Sequence, residues 1–257
     1  MVAIGIKFLA DRFHATPWGR HVNEGVPEWP PSPWRLLRSL ISCWKMRCDD
    51  FTTEQIRPIL EALVDPPAFV LPPATVAHSR HYMPLGLTKK RQAYIEDRTK
   101  IFDAFVGIGN GSELIVVWPD ASLDHADQPV FATLLDRLGY LGRAESWCEA
   151  RLIDEAPELD ALNCRPLDDQ RPVESSEETT RVLCADPATA FSDEHVRPIT
   201  GRGRSGKNLR PPYDPAWHLA IETGQLHTEK WSDPPGSRWL TYVRPADCFH
   251  PKTLLSG

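Results

Sequence analysis

The chain has 257 residues, 41% of them hydrophobic, enough for one large core, and no apolar run in it approaches the length that crosses a bilayer. A net charge of −6 excludes a uniformly basic nucleic-acid coat, yet residues 154–194 hold 12 acidic and 3 basic side chains while the rest holds 26 basic and 23 acidic. With 25 prolines against 15 glycines, long stiff connections between regular elements are expected.

Val2, Ile4, Ile6 and Phe8 alternate and predict a strand with one buried face; the segment lacks the basic start and cleavage pattern of a signal peptide. Pro17, Pro27, Pro30, Pro31 and Pro33 make residues 10–33 a loop. Ser32 before Pro33 is a helix start, and Leu36, Leu37, Leu40, Ile41 and Trp44 form the apolar stripe of a helix over 34–47, with Arg35 and Arg38 one turn apart beside it. A second helix is expected over 53–64, capped by Thr53 and ended by Pro66 and Pro67. Extended segments over 68–71 and 75–83, a buried strand over 113–118 and a helix over 128–140 follow. Residues 141–152 carry Gly142, Arg143, Glu145, Trp147 and Arg151 and lead to another short strand. The stretch 154–180 reads as irregular and acidic, 201–214 as a basic loop, and 218–221 and 239–243 as strands. Strands and helices mix without a regular βα alternation. The expected class is therefore α+β, and a ferredoxin-like β-α-β-β-α-β unit with long proline-rich insertions fits. Residues 1–153 form that domain, and 154–257 are expected to pack on it.

The six cysteines are scattered with no C-x-x-C pair, which predicts no zinc site and suits a reducing cytoplasm. The run Gly201 to Asn208 matches G-x-x-x-x-G-K but ends in Asn208 where a phosphate loop needs Ser or Thr, and Pro211 and Pro212 forbid the following helix. An NTPase is rejected. Arg202, Arg204 and Lys207 remain, as a clamp on an RNA backbone or as a solvated loop. Within His78 to Tyr82, alternation puts His78, Arg80 and Tyr82 on one face and Ser79 and His81 on the other, which suits phosphate binding and base stacking and separates the histidines as metal ligands. The first loop concentrates Arg12, His14, Trp18, Arg20, Trp29, Trp34, Arg35 and Arg38. Its tryptophans Trp29 and Trp34 are expected to pack, whereas Arg12, His14, Arg20, Arg35 and Arg38 are rarely buried without a partner and point to a ligand. Arg143 and Glu145 are read equally as an internal ion pair or as an RNA contact. No nucleophilic triad and no cofactor motif are legible.

The stretch F-L-A-D-R-F-H-A-T-P-W-G-R-H-V-N-E-G-V-P-E-W-P-P-S-P-W-R-L-L-R, from Phe8 to Arg38, resembles the start of the type I-U (I-G) CRISPR-associated fusion proteins. H-S-R-H-Y-M-P (His78 to Pro84), Y-L-G-R-A-E-S-W (Tyr140 to Trp147) and P-P-G-S-R-W (Pro234 to Trp239) extend the resemblance along the chain. In that family a handle-binding "Cas-five" half precedes a guide-RNA-processing "Cas-six" half. The resemblance implies a ferredoxin-like domain, related to RNA-recognition motifs, that grips the 5′ handle of the CRISPR RNA. Its implied partners are the backbone subunits, the large subunit and, through the complex, target DNA. Only the first half of the family pattern is matched, so the expectation is a non-catalytic cytoplasmic RNA holder. The expected contacts are Arg12, His14, Arg20, Arg35, Arg38, Arg80, His81 and Tyr82, with Arg202, Arg204 and Lys207 closing over the strand. The rival is a metal-independent ribonuclease that uses a histidine.

Overall fold

A computed structural model describes residues 1–90, 93–169, 171–194, 196 and 213–248. In chain order its elements are β1 (Val2–Phe8), β2 (Arg12–Phe13), α1 (Pro33–Arg47), α2 (Thr53–Ala62), β3 (Ala68–Val70), β4 (Ala74–Lys90), β5 (Ala93–Ile108), β6 (Glu113–Trp118), α3 (Asp127–Asp136), β7 (Cys148–Leu152), β8 (Arg165–Pro166), β9 (Glu177–Ala185), α4 (Thr223–Thr228) and β10 (Ser237–Pro245). The class is α+β, with three antiparallel sheets and few helices.

The central sheet runs β3–β6–β1–β7. Val2, Ile4 and Ile6 of β1 share a face with Trp118, Val116 and Leu114 of β6, and this face carries the main core. The apolar stripes of α1, α2 and α3 close over it: Leu36, Leu37, Leu40 and Trp44, then Ile56, Ile59 and Leu60, then Phe131, Leu134 and Leu135. The far face holds Ala3, Ala68 and Val117 in a small cluster with Leu162. Gly5 lies under the side chain of Glu113 in a space that no Cβ could share. The sheet β8–β10–β9 is joined to the first by the Phe69–Cys164 bridge and by Tyr242, whose hydroxyl donates to the Pro67 carbonyl at 2.9 Å. Val182, Leu183, Cys184 and Tyr242 belong to the same core as Ile4 and Leu37.

The third sheet, β2–β5–β4, is a long hairpin. β4 runs well past the expected end at Met83 because the Pro84–Gly86 stretch forms a bulge rather than a turn. Its residues from His78 to Gly86 are exposed.

Three expectations are corrected. Helix α2 starts after Thr52, whose N–H donates to Gln55 Oε1 at 2.9 Å, so Thr53 is its first residue and not its cap. Helix α3 stops at Asp136 and not at Tyr140, because Gly139 accepts from Cys148 N–H at 3.1 Å and Tyr140 bridges to Trp147. Residues His218–Ala220 form a 3₁₀ turn instead of a strand, since His218 and Leu219 N–H donate to the Ser192 and Ala190 carbonyls of a neighbouring turn at 3.0 and 3.1 Å. The expected loop over 10–33 is also interrupted, by the short strand β2, which pairs with Val106 and Gly107 of β5, and by a 3₁₀ turn at Val22–Glu24.

Ser32 ties α1 to the second sheet. Its buried hydroxyl donates to the Leu183 carbonyl at 2.6 Å and accepts from Arg35 N–H at 3.3 Å. Ser32→Ala leaves both groups without that partner and is expected to lower stability by about 1–3 kcal/mol, read as a lower urea midpoint at unchanged slope. An unchanged midpoint would show that the helix cap and sheet contact are dispensable.

Candidate functional site

Register sorts the hairpin side chains into two faces. His78, Arg80 and Tyr82 of β4 lie opposite Ala104, Phe102 and Lys100 of β5, and cross-strand partners share a face. On this face the His78 ring stacks on Phe102 with centroids 4.4 Å apart, and the Arg80 guanidinium lies 5.4 Å from the same ring. Gly25, at φ +70, lets the Val22–Glu24 turn press against Phe102 where a Cβ would collide. Asn23 Oδ1 also accepts from Phe102 N–H at 3.1 Å. Together Asn23, Glu24, Arg80, Lys100 and Phe102 line an open hollow of about 520 Å³. Tyr82 is 66% exposed, an aromatic with no burial to account for it. Ser79 and His81 take the opposite face, as alternation requires.

Arg12 sits at the hairpin base, exposed, with its guanidinium 5.9 Å from the Phe105 ring. His14 is not on the surface. It is 5% exposed, and its Nε2 is 2.7 Å from Asp103 Oδ1, the oxygen that also accepts from Arg143 Nη1 at 2.8 Å. Arg143 is therefore paired internally, with Asp103 instead of Glu145. The turn carrying Arg143 is locked to the same residue: His14 N–H donates to Ser146 Oγ at 2.7 Å and Arg143 N–H donates to the His14 carbonyl at 2.8 Å.

The remaining arginines divide. Arg20 is exposed and pairs with Glu24 at 3.0 Å, a contact worth little in water. The backbone N–H of His21, then Arg20, hold the Glu24 carboxyl below its ordinary pKa. Arg35 is committed: its Nε and Nη2 donate to both oxygens of Glu28 at 2.8 and 3.0 Å, and Nη2 also reaches the Thr16 carbonyl. Burial works against its charge, but Glu28 outweighs it and the pKa is raised. Arg38 has only neutral partners among the described residues, donating to the Leu219 carbonyl at 2.7 Å and Thr223 Oγ1 at 3.1 Å while lying 4.5 Å from the Trp34 ring. Burial and then Arg35 push its pKa down to about 10. Trp29 and Trp34 are each 3% exposed and pack in the core. Arg202, Arg204 and Lys207 lie outside the described residues.

Of the predicted contacts, Arg80 and Tyr82 are thus brought together on the exposed hairpin face, with His81 on the reverse and Arg12 at the base. Arg35 and Arg38 belong to α1 on another surface. Phe102, Lys100 and Asp103 went unrecognised in the sequence, although the aromatic and β-branched run from Ile101 to Val106 carries a strand signal. No protein-family model and no curated protein matches this chain.

Asp103 is the joint of this surface. Replacing it with Ala leaves the His14 ring and the half-buried Arg143 without their acceptor, and a loss of about 3 kcal/mol is expected. Hydrogen exchange should rise first in β4, β5 and residues 139–147, and uniform exchange across the chain would refute this local role.

Proposed function

We propose that the chain binds single-stranded RNA along the exposed hairpin face, and that it is the non-catalytic subunit of a type I CRISPR surveillance complex that holds the 5′ handle of the guide RNA. The observation that carries the RNA reading is Phe102, flanked by His78 at 4.4 Å and Arg80 at 5.4 Å, with Tyr82 and Lys100 beside it. Aromatic planes stack unpaired bases: Tyr82 is exposed for this, and the half-buried Phe102 seats the exposed His78 ring and Arg80, while Arg80 and Lys100 take the phosphates.

The far face of the central sheet is a weaker candidate. Its Ala3 is covered by Leu162 and its Gly5 by Glu113, the remaining Lys7, Glu113, Ile115 and Arg151 include no aromatic side chain, and Arg151 is spent on Glu113 at 2.8 Å. The sheet-face stacking of RNA-recognition motifs has no platform there.

The assignment to a CRISPR complex rests on the motifs from Phe8 to Arg38 and from His78 to Pro84, which fall in the first loop and on the hairpin. The ferredoxin-like reading is supported by connectivity. The elements β1, α1, β3, β6, α3 and β7 run β-α-β-β-α-β, and the order β3–β6–β1–β7 puts the first and third strands in the centre. On this reading α2 and the hairpin are insertions. The backbone and large subunits are its partners, and target DNA is met through them.

Fluorescence anisotropy with a repeat-handle RNA tests the site. Arg80→Ala combined with Phe102→Ala should weaken binding by about 10- to 100-fold and make the salt dependence shallower by about one phosphate contact. Wild-type affinity in a folded double variant would overturn the assignment. Metal-free cleavage of precursor RNA, lost in His81→Ala, would establish the ribonuclease instead.

A further inference from the structure

A second surface gathers cations without a lining carboxylate. Between α1 and the turn Arg137–Gly142 lies a cleft of about 370 Å³, within the range of small-ligand pockets. From α1 it receives Arg38, Ser39, Ser42 and Arg47, and from the turn Arg137 and Tyr140; no Asp or Glu lines it. Arg35 also borders it, but its charge is already met by Glu28 in the first loop.

The charge that remains is directed and largely uncompensated. Arg38 has no carboxylate within 4 Å among the described residues, and neither has Arg47. Arg47 Nη1 donates to the Arg137 carbonyl at 2.9 Å, and Arg137 Nη1 returns a bond to the Arg47 carbonyl at 2.8 Å. This clasp fixes both guanidinium groups at the rim, and only the exposed Asp50 offsets Arg137, at 3.2 Å. Gly139 makes the clasp possible, since a Cβ there would stand 2.5 Å from Arg47 Nη1. Trp34 adds an unusual donor: the residue lines the cleft, is 97% buried, and its indole Nε1 has no hydrogen-bond partner. A partly buried guanidinium with neutral partners only, and a buried N–H without an acceptor, are each costly, and an oxyanion in the cleft would relieve the first. Burial and then the neighbouring Arg35 push the pKa of Arg38 down to about 10.

We propose that this cleft is an anion site for the phosphate of a nucleotide, distinct from the hairpin surface. Arg38 takes the phosphate at the Trp34 end of the cleft, with Ser39 and Ser42 as further donors, while Arg47 and Arg137 stand about 13 Å further along α1 and add positive potential at the other end. The base lies at the mouth, where Tyr140 is 40% and Met46 79% exposed and offer a π face and a soft thioether. The ligand chemistry is a nucleoside phosphate, supplied either free or as the phosphorylated end of an RNA strand. Gly142 lines the cleft while Arg143 reaches Asp103 below the hairpin, so the turn stands between the two surfaces.

Isothermal titration of the full chain with AMP, inorganic phosphate and adenosine tests the proposal, and none of these probes depends on the hairpin holding RNA. AMP should bind more tightly than phosphate, and adenosine should give no measurable heat. Ser42→Glu puts a carboxylate into the cleft from an exposed helix position, and Arg38→Gln removes the cation that takes the phosphate. Each should weaken AMP at least about 10-fold, the size of one charged contact, while the urea midpoint of Ser42→Glu stays at the wild-type value. AMP that fails to bind, binds no better than adenosine, or binds both variants as it binds wild type overturns the site. So does a cleft that takes a poly-glutamate peptide and not AMP, which would make it a docking surface for an acidic protein. Competition by a 5′-phosphorylated oligonucleotide, and not by its 5′-hydroxyl form, assigns the phosphate to an RNA end; equal weakness of both assigns it to a free nucleotide.

Discussion

The carboxylate of Asp103 joins three segments that are far apart in the chain. It lies in β5, 9% exposed at its side chain, and holds His14 of the first loop at 2.7 Å and Arg143 of the 139–147 turn at 2.8 Å. A carboxylate buried alone is too costly to survive, so the two partners are a condition of its burial and not an ornament to it. Backbone geometry is fitted to the same point. Gly142 adopts φ +88, and a Cβ there would stand 2.7 Å from the His14 carbonyl, so the close approach of turn and loop requires glycine twice over. The hairpin base, the first loop and the turn that borders the cleft are thereby held in one arrangement, and each surface inherits its position from this joint.

That arrangement separates the cations by task. Arg35 and Arg143 face carboxylates and His14 is buried, so these three hold the fold. Arg80 and Arg12 lie over rings at the surface, where a guanidinium keeps its water and loses little by waiting for a ligand. Arg38 is the intermediate case, desolvated yet without an anion, and the neutral oxygens of Leu219 and Thr223 compensate it only in part. Residue type alone does not distinguish these states, because all of them occur within one arginine-rich stretch and its neighbours.

The same distinction explains what could be read from sequence. Alternation in Val2–Phe8 and Glu113–Trp118 and the apolar stripe after Ser32–Pro33 are local signals, and the corresponding strands and helix stand where the patterns put them. The packing of Trp29 and Trp34 was legible because large rings beside five prolines have little else to do. The hairpin was legible only in part. Pro84 and Gly86 look like turn residues, but long-range pairing with Arg98 and Asp97 absorbs them as a bulge, and nothing local announces that outcome. His14 was misjudged for a related reason. Its burial depends on Asp103, 89 residues away, and a histidine beside Arg12 reads as a surface group until that contact exists.

The acidic segment completes the electrostatic picture. Glu177 and Glu178 are drawn in by Arg165 at 3.7 Å and Arg244 at 2.8 Å, but Asp154, Glu155, Glu158, Asp160, Asp168, Asp169 and Glu174 remain exposed. These charges lie in the connections before β8 and between β8 and β9, away from the hairpin in sequence. A polyanion approaching the chain is repelled by those connections and attracted where Arg12, Arg80 and Lys100 are exposed. The net charge of −6 is therefore compatible with a nucleic-acid ligand, because segregation, and not the sum, sets the field that the ligand meets. Both proposed phosphate contacts lie on elements before residue 145, where 16 basic and 16 acidic residues balance, so individual exposed cations and not a regional excess set the local attraction. On the proposed assignment, the acidic connections would disfavour a strand beside residues 154–174 and leave the hairpin face as the place for it, a role that needs no direct contact with RNA.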